Sequence, residues 1–448
     1  MIHSLVKYLP EIISTKLRDN PVYSRVAKGA FWSLLGSLAA QGLTILSSIP
    51  VARLLGAENY GGLGIVQSTV ATFVIFAGPA LGVAATKHIA ELRNSDPERV
   101  GKITGMTFSV GLIISTLMAV ALWVAAPFLA AVTLNAPDLV DILRIASVVL
   151  FFNGLVGVQN GILVGFEAFR PMAQVNLLRG IVSFPAMIVG TWFWQLPGAV
   201  LALGVIALVT ALANQRVIQS EAAKRGVGVQ YFAVGSELGI LYRFSLPALL
   251  SSIVVVTTTW GVNAILVNQP NGYAHMGIFN AANQWRIAIL FLPSILSKPV
   301  LPMLSESLNR SLEEYKQVFK LNLAITTGIS VLLALGVIAM SPWIMAAYGS
   351  DFAQQWIVLV LLALSAVFSS IAGVIGNTIW SLGRMWTSLA LNATWAAVFL
   401  GVSLYTIGKW GVVGLATAYV AAYGFHLVLH VWYVVFPLRL QLTSGQKS

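Results

Sequence analysis

Cysteine is absent from all 448 residues, so the chain carries no disulfide framework and no thiolate metal site. Charge is nearly as scarce. Asp, Glu, Lys and Arg together make up 9% of the chain, against about 25% in a soluble domain, so water is not its main solvent. A Gly-x-x-x-x-Gly-Lys-(Ser/Thr) motif is missing, which excludes an ATP-hydrolysing P-loop in this chain. No polar segment is long enough to fold as a separate catalytic domain, no aspartate pair with metal-ligand spacing lies in a loop, and the loops on one side are short. These gaps argue against an enzyme and leave no residues to assign to a cofactor or a metal.

What is present is apolar. Hydrophobic residues make up 58% of the chain, and mean hydropathy is +0.84. Windows free of any charge include Gly29–Ala52, Gly61–Thr86, Ile103–Pro137, Gly180–Gln215, Leu321–Ser350 and Phe352–Gly383, each at or beyond the ~20 residues that a spanning helix needs. The reading is an all-α integral membrane protein. The first apolar run, GAFWSLLGSLAAQGLTILSSIPVA, is too long for the core of a cleaved secretory signal. Ahead of it, SLVKYLPEIISTKL reads as a short interfacial helix interrupted by Pro10.

Twelve spans are expected, near 29–52, 62–86, 103–128, 143–166, 175–194, 197–215, 243–267, 276–299, 320–345, 355–381, 385–408 and 411–436. They divide the chain into a cytoplasmic N-terminal segment (1–28), a first six-helix bundle (29–215), a cytoplasmic linker (216–242), a second bundle (243–436) and a cytoplasmic tail (437–448). Of 26 basic residues, all but Arg53, Arg144, Lys409 and Arg286 fall on one side, 22 in total, with Arg170 and Arg179 counted in the loop before span five. By the positive-inside rule both termini are cytoplasmic, and the net charge of +11 reflects topology, with no nucleic-acid partner implied.

The halves resemble each other. NYGGLGIVQS opens span two and GYAHMGIFNA opens span eight, sharing Tyr-x-x-(Leu/Met)-Gly-Ile at an offset of 213 residues (60 to 273). Six spans per half give both halves the same orientation, a parallel pseudo-twofold repeat about the membrane normal with the substrate path expected between the halves.

Polar groups inside the spans are then the informative ones. Arg286, in NAANQWRIAI, stands as the lone charge near a bilayer centre, where a guanidinium costs at least ~2.5 kcal/mol. Around it lie Asn280, Asn283, Gln284 and Trp285; span seven adds Trp260 and Asn263, span one Gln41 and span four Asn153. Most intramembrane amides simply bond neighbouring helices. Arg286 lacks an embedded carboxylate, because Asp141, Glu167 and Glu237 lie at span ends. It is read as facing a wet cavity and an anion, with its planar fork suited to phosphate oxygens and the amides suited to sugar hydroxyls.

Three lesser features have structural readings. Gly157, Gly161 and Gly165 form a close-packing face. His426 and His430, one turn apart without a third metal ligand, read as packing groups, and Pro79, Pro247 and Pro293 as kink sites.

The stretch VARLLGAENYGGLG resembles the Ala-Arg-Leu-Leu-Gly-x-(Glu/Asp)-x-Tyr-Gly pattern of the Wzx-type polysaccharide and oligosaccharide flippases, matched at Ala52, Arg53, Leu54, Leu55, Gly56, Glu58, Tyr60 and Gly61. MGIFNAANQWRIAILFLPSILSKPVLPMLSE is similar to that family's second-half signature, with Phe279 where tyrosine is usual. The resemblance implies a MATE-like fold of two bundles around a cationic cavity. It implies movement of undecaprenyl-diphosphate-linked oligosaccharide across the bacterial inner membrane, with a polysaccharide polymerase and a chain-length regulator as partners. On that footing Arg286 would hold diphosphate, Asn280, Asn283, Gln284 and Asn263 would bond sugar, and Trp260 and Trp285 would stack on sugar faces. A multidrug exporter of the same superfamily is the rival, although span one lacks the acidic residue usual in cation-coupled members. A non-transporting scaffold of a glycan-synthesis complex is the alternative of a different class.

Overall fold

Hydrocarbon offers no partner to a peptide group, so apolar runs of this length must close their hydrogen bonds within helices. The protein does so in a computed structural model describing residues 21–77, 79–231, 238–297, 300, 303–304, 311–382 and 384–434. In chain order the helices are α1 (Pro21–Ala77), α2 (Pro79–Leu92), α3 (Pro97–Phe128), α4 (Val140–Gly165), α5 (Phe169–Lys224), α6 (Leu238–Val267), α7 (Gly272–Ser297), α8 (Leu312–Tyr348), the single turn α9 (Ser350–Ala353), α10 (Trp356–Ser381) and α11 (Met385–Tyr433). No strand occurs among the described residues. Eight of these helices are long and apolar enough to cross a membrane, and the chain is a multi-pass membrane protein. The proposed interfacial helix before Pro21, the tail after Val434 and the linker stretch 232–237 lie outside the described residues.

Three of the long helices are folded back on themselves. α1 turns at Gly56 (φ 70°, ψ 173°), α5 at Trp194–Gln195 (Gln195 φ 49°, ψ −133°), and α11 at Gly411 (φ 53°, ψ −126°). Gly56 and Gly411 take up dihedrals that a Cβ would disfavour. These turns fall where loops are expected between spans one and two, five and six, and eleven and twelve. They gather with the loops 129–139, 268–271 and 349–355 on one face of the molecule, here called the kink face. Pro79 interrupts its span as expected, opening α2 after α1 stops at Ala77, whereas Pro293 stays inside a continuous α7.

The two halves meet along the repeated motif. A methyl on Gly61 would land on the Tyr273 carbonyl, and one on Gly277 on the Ala57 carbonyl, so the second leg of α1 and α7 cross backbone to backbone. Gly64 packs beneath the Asn280 amide, where an added Cβ would lie 3.1 Å from Asn280 Cγ. Hydrogen bonds continue the seam. Tyr273 donates to the Leu134 carbonyl (2.9 Å), Asn268 to the Thr133 carbonyl (2.8 Å), and Arg53 Nε to the Ala347 carbonyl (2.7 Å). Nearer mid-helix, Asn263 Nδ2 donates to Ser68 Oγ (3.0 Å) and Trp260 Nε1 to Thr69 Oγ1 (2.9 Å).

Within the first half, the Gly157–Gly161–Gly165 face performs the expected close packing. A Cβ on Gly161 would strike the Gly82 backbone, and one on Gly165 would come within 2.8 Å of Ile89 Cβ. At the face opposite the kinks, Arg93 pairs with Glu167 (2.6 Å) and Arg225 donates to the Phe166 carbonyl (2.9 Å). α5 runs on to Lys224, beyond the expected bundle boundary at 215. The chain leaving it lies against α3, where Gln230 N donates to the Gly101 carbonyl (3.2 Å) and Tyr231 meets Phe108 edge to face.

Candidate substrate site

A cavity of about 400 Å³ opens inside the first half. The second leg of α1 contributes Gln67, Val70 and Val74, α4 contributes Asn153, Gly157 and Asn160, and the two legs of α5 contribute Arg179 and Thr210. Most of the wall is valine, leucine and alanine. The polar groups converge from three helices, the usual arrangement of a ligand pocket in which apolar area binds and a few polar atoms orient.

Arg179 is the charge of this cavity. α5 begins at Phe169, so ten residues of helix, or about 15 Å of rise, separate Arg179 from its start. The side chain is exposed within the protein and makes no hydrogen bond or ion pair with another described residue. One turn earlier Asn176 Nδ2 reaches Ser37 Oγ (3.4 Å), tying α5 to the first leg of α1. Across the cavity Asn160 Oδ1 accepts from Asn214 Nδ2 (3.2 Å), which fixes the rotamer of Asn160. Behind it, Gln159 Nε2 donates to the Ala211 carbonyl (3.0 Å) and to Gln215 Oε1 (3.2 Å).

The expectation that Arg286 is the lone charge deep in a span is therefore corrected. Span five, read as 175–194, already encloses Arg179, so counting it with the loop charges was the mistake; α5 begins earlier still, at Phe169. The signal was available, since the run MAQVNLLRGIVSF has neither glycine nor proline between Gln174 and Arg179. Gln67, Asn160 and Thr210 were also missed, being single amides or hydroxyls with nothing local to distinguish them from helix-to-helix bonds.

The nine residues named from sequence fall in separate places. Asn153 lines the cavity. Asn280, Asn263 and Trp260 stand in the seam between the halves, and Trp285 Nε1 donates to Tyr348 OH (3.2 Å), itself bonded to Ser48 Oγ (2.9 Å). Asn283, Gln284 and Gln41 are half-buried. Arg286 is 7% exposed and sits inside the second half. Its Nε donates to Ser365 Oγ (3.0 Å), and its guanidinium lies 4.9 Å from the ring centroids of both Tyr419 and Tyr423. Nη2 has no hydrogen-bond partner among the described residues. The structure thus gives Arg286 a cation–π bed and one hydroxyl, where sequence reasoning expected an unpartnered charge on a cavity wall.

Comparison with known proteins adds three findings. The family described as polysaccharide biosynthesis protein matches residues 26–308. Among curated relatives, the EPS I polysaccharide export inner membrane protein EpsE of Ralstonia nicotianae is 24% identical over 87% of this chain and 90% of its own length. The succinoglycan biosynthesis transport protein ExoT of Rhizobium meliloti is 25% identical over 76% of this chain and 66% of its own. The lipid III flippase of Escherichia coli is 23% identical over 62% and 67%. Among solved structures, the inward-facing conformation of a multidrug resistance MATE family transporter of the MOP superfamily superposes with a TM-score of 0.75 over 94% of this chain and 99% of that one, at 15% identity. At that identity the likeness is one of fold, and the fold is MATE-like.

Proposed function

The chain belongs to the polysaccharide biosynthesis protein family, and from that membership we propose that it is a flippase. Its cargo is an undecaprenyl-diphosphate-linked oligosaccharide repeat unit, moved from the cytoplasmic to the periplasmic face of the inner membrane for assembly of surface polysaccharide. The observation that carries this reading is Arg179, a permanent cation without a partner among the described residues, opening into a cavity otherwise lined by amides, a hydroxyl and apolar groups. Such a wall suits a headgroup whose one end is a diphosphate and whose remainder is hydroxyl-rich sugar, while the polyprenyl tail stays in lipid. Arg179 takes the diphosphate, and Asn153, Asn160, Gln67 and Thr210 hydrogen-bond the sugar.

Alternating access gives the remaining residues their part. When the seam parts, the amide of Asn263 and the indole of Trp260 lose their partners across it, Asn280 is uncovered from Gly64, and Trp285 keeps its bond to Tyr348 within the second half. They then face the path between the halves, along with Asn283 and Gln284, and Gln41 joins from α1. Arg286 stands behind this wall as a second positive charge that draws the anion onward. Both termini are cytoplasmic in this reading, so cysteine at Asn271 labels from outside intact cells and cysteine at Glu314 does not; the reverse pattern overturns the orientation.

Drug export is the reading that the solved neighbours' names suggest, and EpsE, ExoT and the lipid III flippase weigh against it. Arg179 would also repel a cationic drug. A scaffold without transport has no use for an unpaired cation in a cavity. The deciding experiment is deletion. Lipid-linked repeat units should accumulate at the cytoplasmic face and surface glycan should disappear. Normal surface glycan with raised sensitivity to cationic dyes would overturn the proposal in favour of drug export.

A further inference from the structure

The motif around the Gly56 turn of α1 takes no part in the cavity, and its residues meet the second half. Arg53, three residues before the turn, donates through Nε to the Ala347 carbonyl at 2.7 Å. Ala347 lies in the final turn of α8, which ends at Tyr348, so its own helix offers that carbonyl no amide. A guanidinium placed there also meets the negative end of the helix dipole. Arg53 of the first half therefore caps a helix of the second.

Beside Arg53 the same corner is buried. Tyr348 and Phe352 touch both legs of α1. The Tyr348 hydroxyl meets Ser48 Oγ at 2.9 Å on the first leg, and the Phe352 ring stands edge-on to Tyr60 on the second, 6.2 Å between centroids. Donor and acceptor roles are fixed. Ser48 gives its hydrogen to the Ile45 carbonyl (2.7 Å), so Tyr348 donates to Ser48 and accepts from Trp285 Nε1 (3.2 Å). Tyr60, Tyr348 and Phe352 are all buried, whereas Arg53 is exposed.

The second half returns the grip at the matching place. The offset of 213 residues between the halves (60 to 273) carries Leu134 onto Ala347, and the Leu134 carbonyl accepts from Tyr273 OH at 2.9 Å. Each half thus holds one backbone carbonyl of the other, at equivalent positions near the kink face. The means differ. One grip is a half-buried phenol, the other an exposed guanidinium.

We propose that Arg53 is the latch of the kink face, a positioning residue whose bond to Ala347 sets how much of the population is closed there. Glycine contacts and aromatic rings make the seam fit. The bond at the solvent edge is the part that trades readily with water, because carbonyl and guanidinium are both rehydrated when it breaks. Its net worth is correspondingly small, which suits a two-state equilibrium that must run in both directions. Tyr273, gripping the equivalent carbonyl, favours the same closed state. The latch needs no cargo; its use in transport rests on the flippase reading above.

Thiol labelling reads the latch directly. Ser48→Cys and Ala57→Cys each place a single thiol at a buried position, one on either side of the Gly56 turn. In purified full-length protein in lipid nanodiscs both should react slowly with a water-soluble maleimide, because only molecules with the kink face parted expose them. Arg53→Ala should raise both rates roughly threefold to tenfold, the range set by the net worth of one hydrogen bond. Arg53→Lys should restore most of the protection, since an ammonium still meets that helix end. Tyr273→Phe, which breaks the opposite bond and keeps the ring, should raise the rates as well. Ala222→Cys, buried in the core at the face opposite the kinks, controls for general loosening and should keep its rate in every variant. Unchanged rates at Ser48→Cys and Ala57→Cys in Arg53→Ala, or an equal rise at Ala222→Cys, overturn the proposal. A deletion strain with normal surface glycan would remove the flippase reading and leave the labelling result, and the latch, in place.

Discussion

Two arginines lie well inside long helices, one in each half, and the protein treats them oppositely. Arg179 opens into a cavity of about 400 Å³ and touches no described polar partner. Arg286 is 7% exposed, bonded to Ser365 and bedded on two tyrosine rings. Both avoid the full cost of a bare charge in hydrocarbon, but by different means: the first by access to a polar cavity, the second by polarisable rings and a hydroxyl. A charge kept available serves a ligand, and a charge kept occupied serves the bundle that holds it. The halves repeat in topology and differ in chemistry.

The largest expected effect follows from that difference. Arg179→Ala should remove a charge-assisted contact to the diphosphate worth about 1.5–3 kcal/mol, which is roughly tenfold to a hundredfold in affinity. Surface glycan in a complemented deletion strain should fall to background while the membrane holds wild-type amounts of protein. Arg286→Ala should instead show its first loss in the amount and thermal stability of the protein. Equal glycan loss at equal protein levels for both variants would dissolve the contrast.

Most of this architecture is legible in the sequence. Charge-free windows mark the apolar helices because hydrocarbon tolerates little else. The Tyr-x-x-(Leu/Met)-Gly-Ile repeat marks the seam, since Gly61 and Gly277 are where two backbones touch. The tight turn at WQLPG is visible too, and the structure puts it at Trp194–Gln195. The site is less legible for a definite reason. A guanidinium near the middle of an apolar run states that something must compensate it, without stating what. Whether Arg286 meets a cavity or two tyrosines depends on α11, more than 130 residues away, and nothing local in NAANQWRIAI encodes that. Arg179 was hidden by being counted with the loop charges although span five, 175–194, encloses it. The histidine pair reads as packing groups, and the structure buries both among aromatic rings, although which rings they meet only packing reveals.

Lysine replacement sharpens the contrast at intermediate size. An ammonium supplies a point charge to an accessible anion, so Arg179→Lys should keep a measurable fraction of wild-type glycan. At position 286 the planar fork is what stacks on Tyr419 and Tyr423 while Nε reaches Ser365, and lysine can do neither well. Arg286→Lys should lose about 0.5–2 kcal/mol of cation–π contact and unfold at lower temperature in detergent than Arg179→Lys. Thiol chemistry checks the same point without any transport assay, because the chain has no cysteine of its own. In purified protein a water-soluble maleimide should modify Arg179→Cys readily and leave Arg286→Cys unreacted until the protein is denatured.

The smallest effect is the most selective. Ser365 Oγ accepts from Arg286 Nε at 3.0 Å and donates to the Leu362 carbonyl at 2.7 Å. Ser365→Ala removes the acceptor and leaves a charged N–H unmet, at ~1–3 kcal/mol. The two tyrosine rings remain, so the guanidinium keeps most of its support and the lower figure applies. In a chain of this length that is about 1–2 °C in unfolding temperature by the trend among smaller domains, with surface glycan unchanged. Asn160→Ala is its counterpart in the first half. It deletes a cavity-lining amide whose bond is to Asn214, at 3.2 Å, and should lower glycan output severalfold while barely moving the unfolding temperature. The pair therefore separates the two arginines by their neighbours, without touching either charge. A Ser365→Ala protein with normal stability and impaired glycan would place Arg286 among the groups that meet the cargo directly, and the division between an available and an occupied charge would fall.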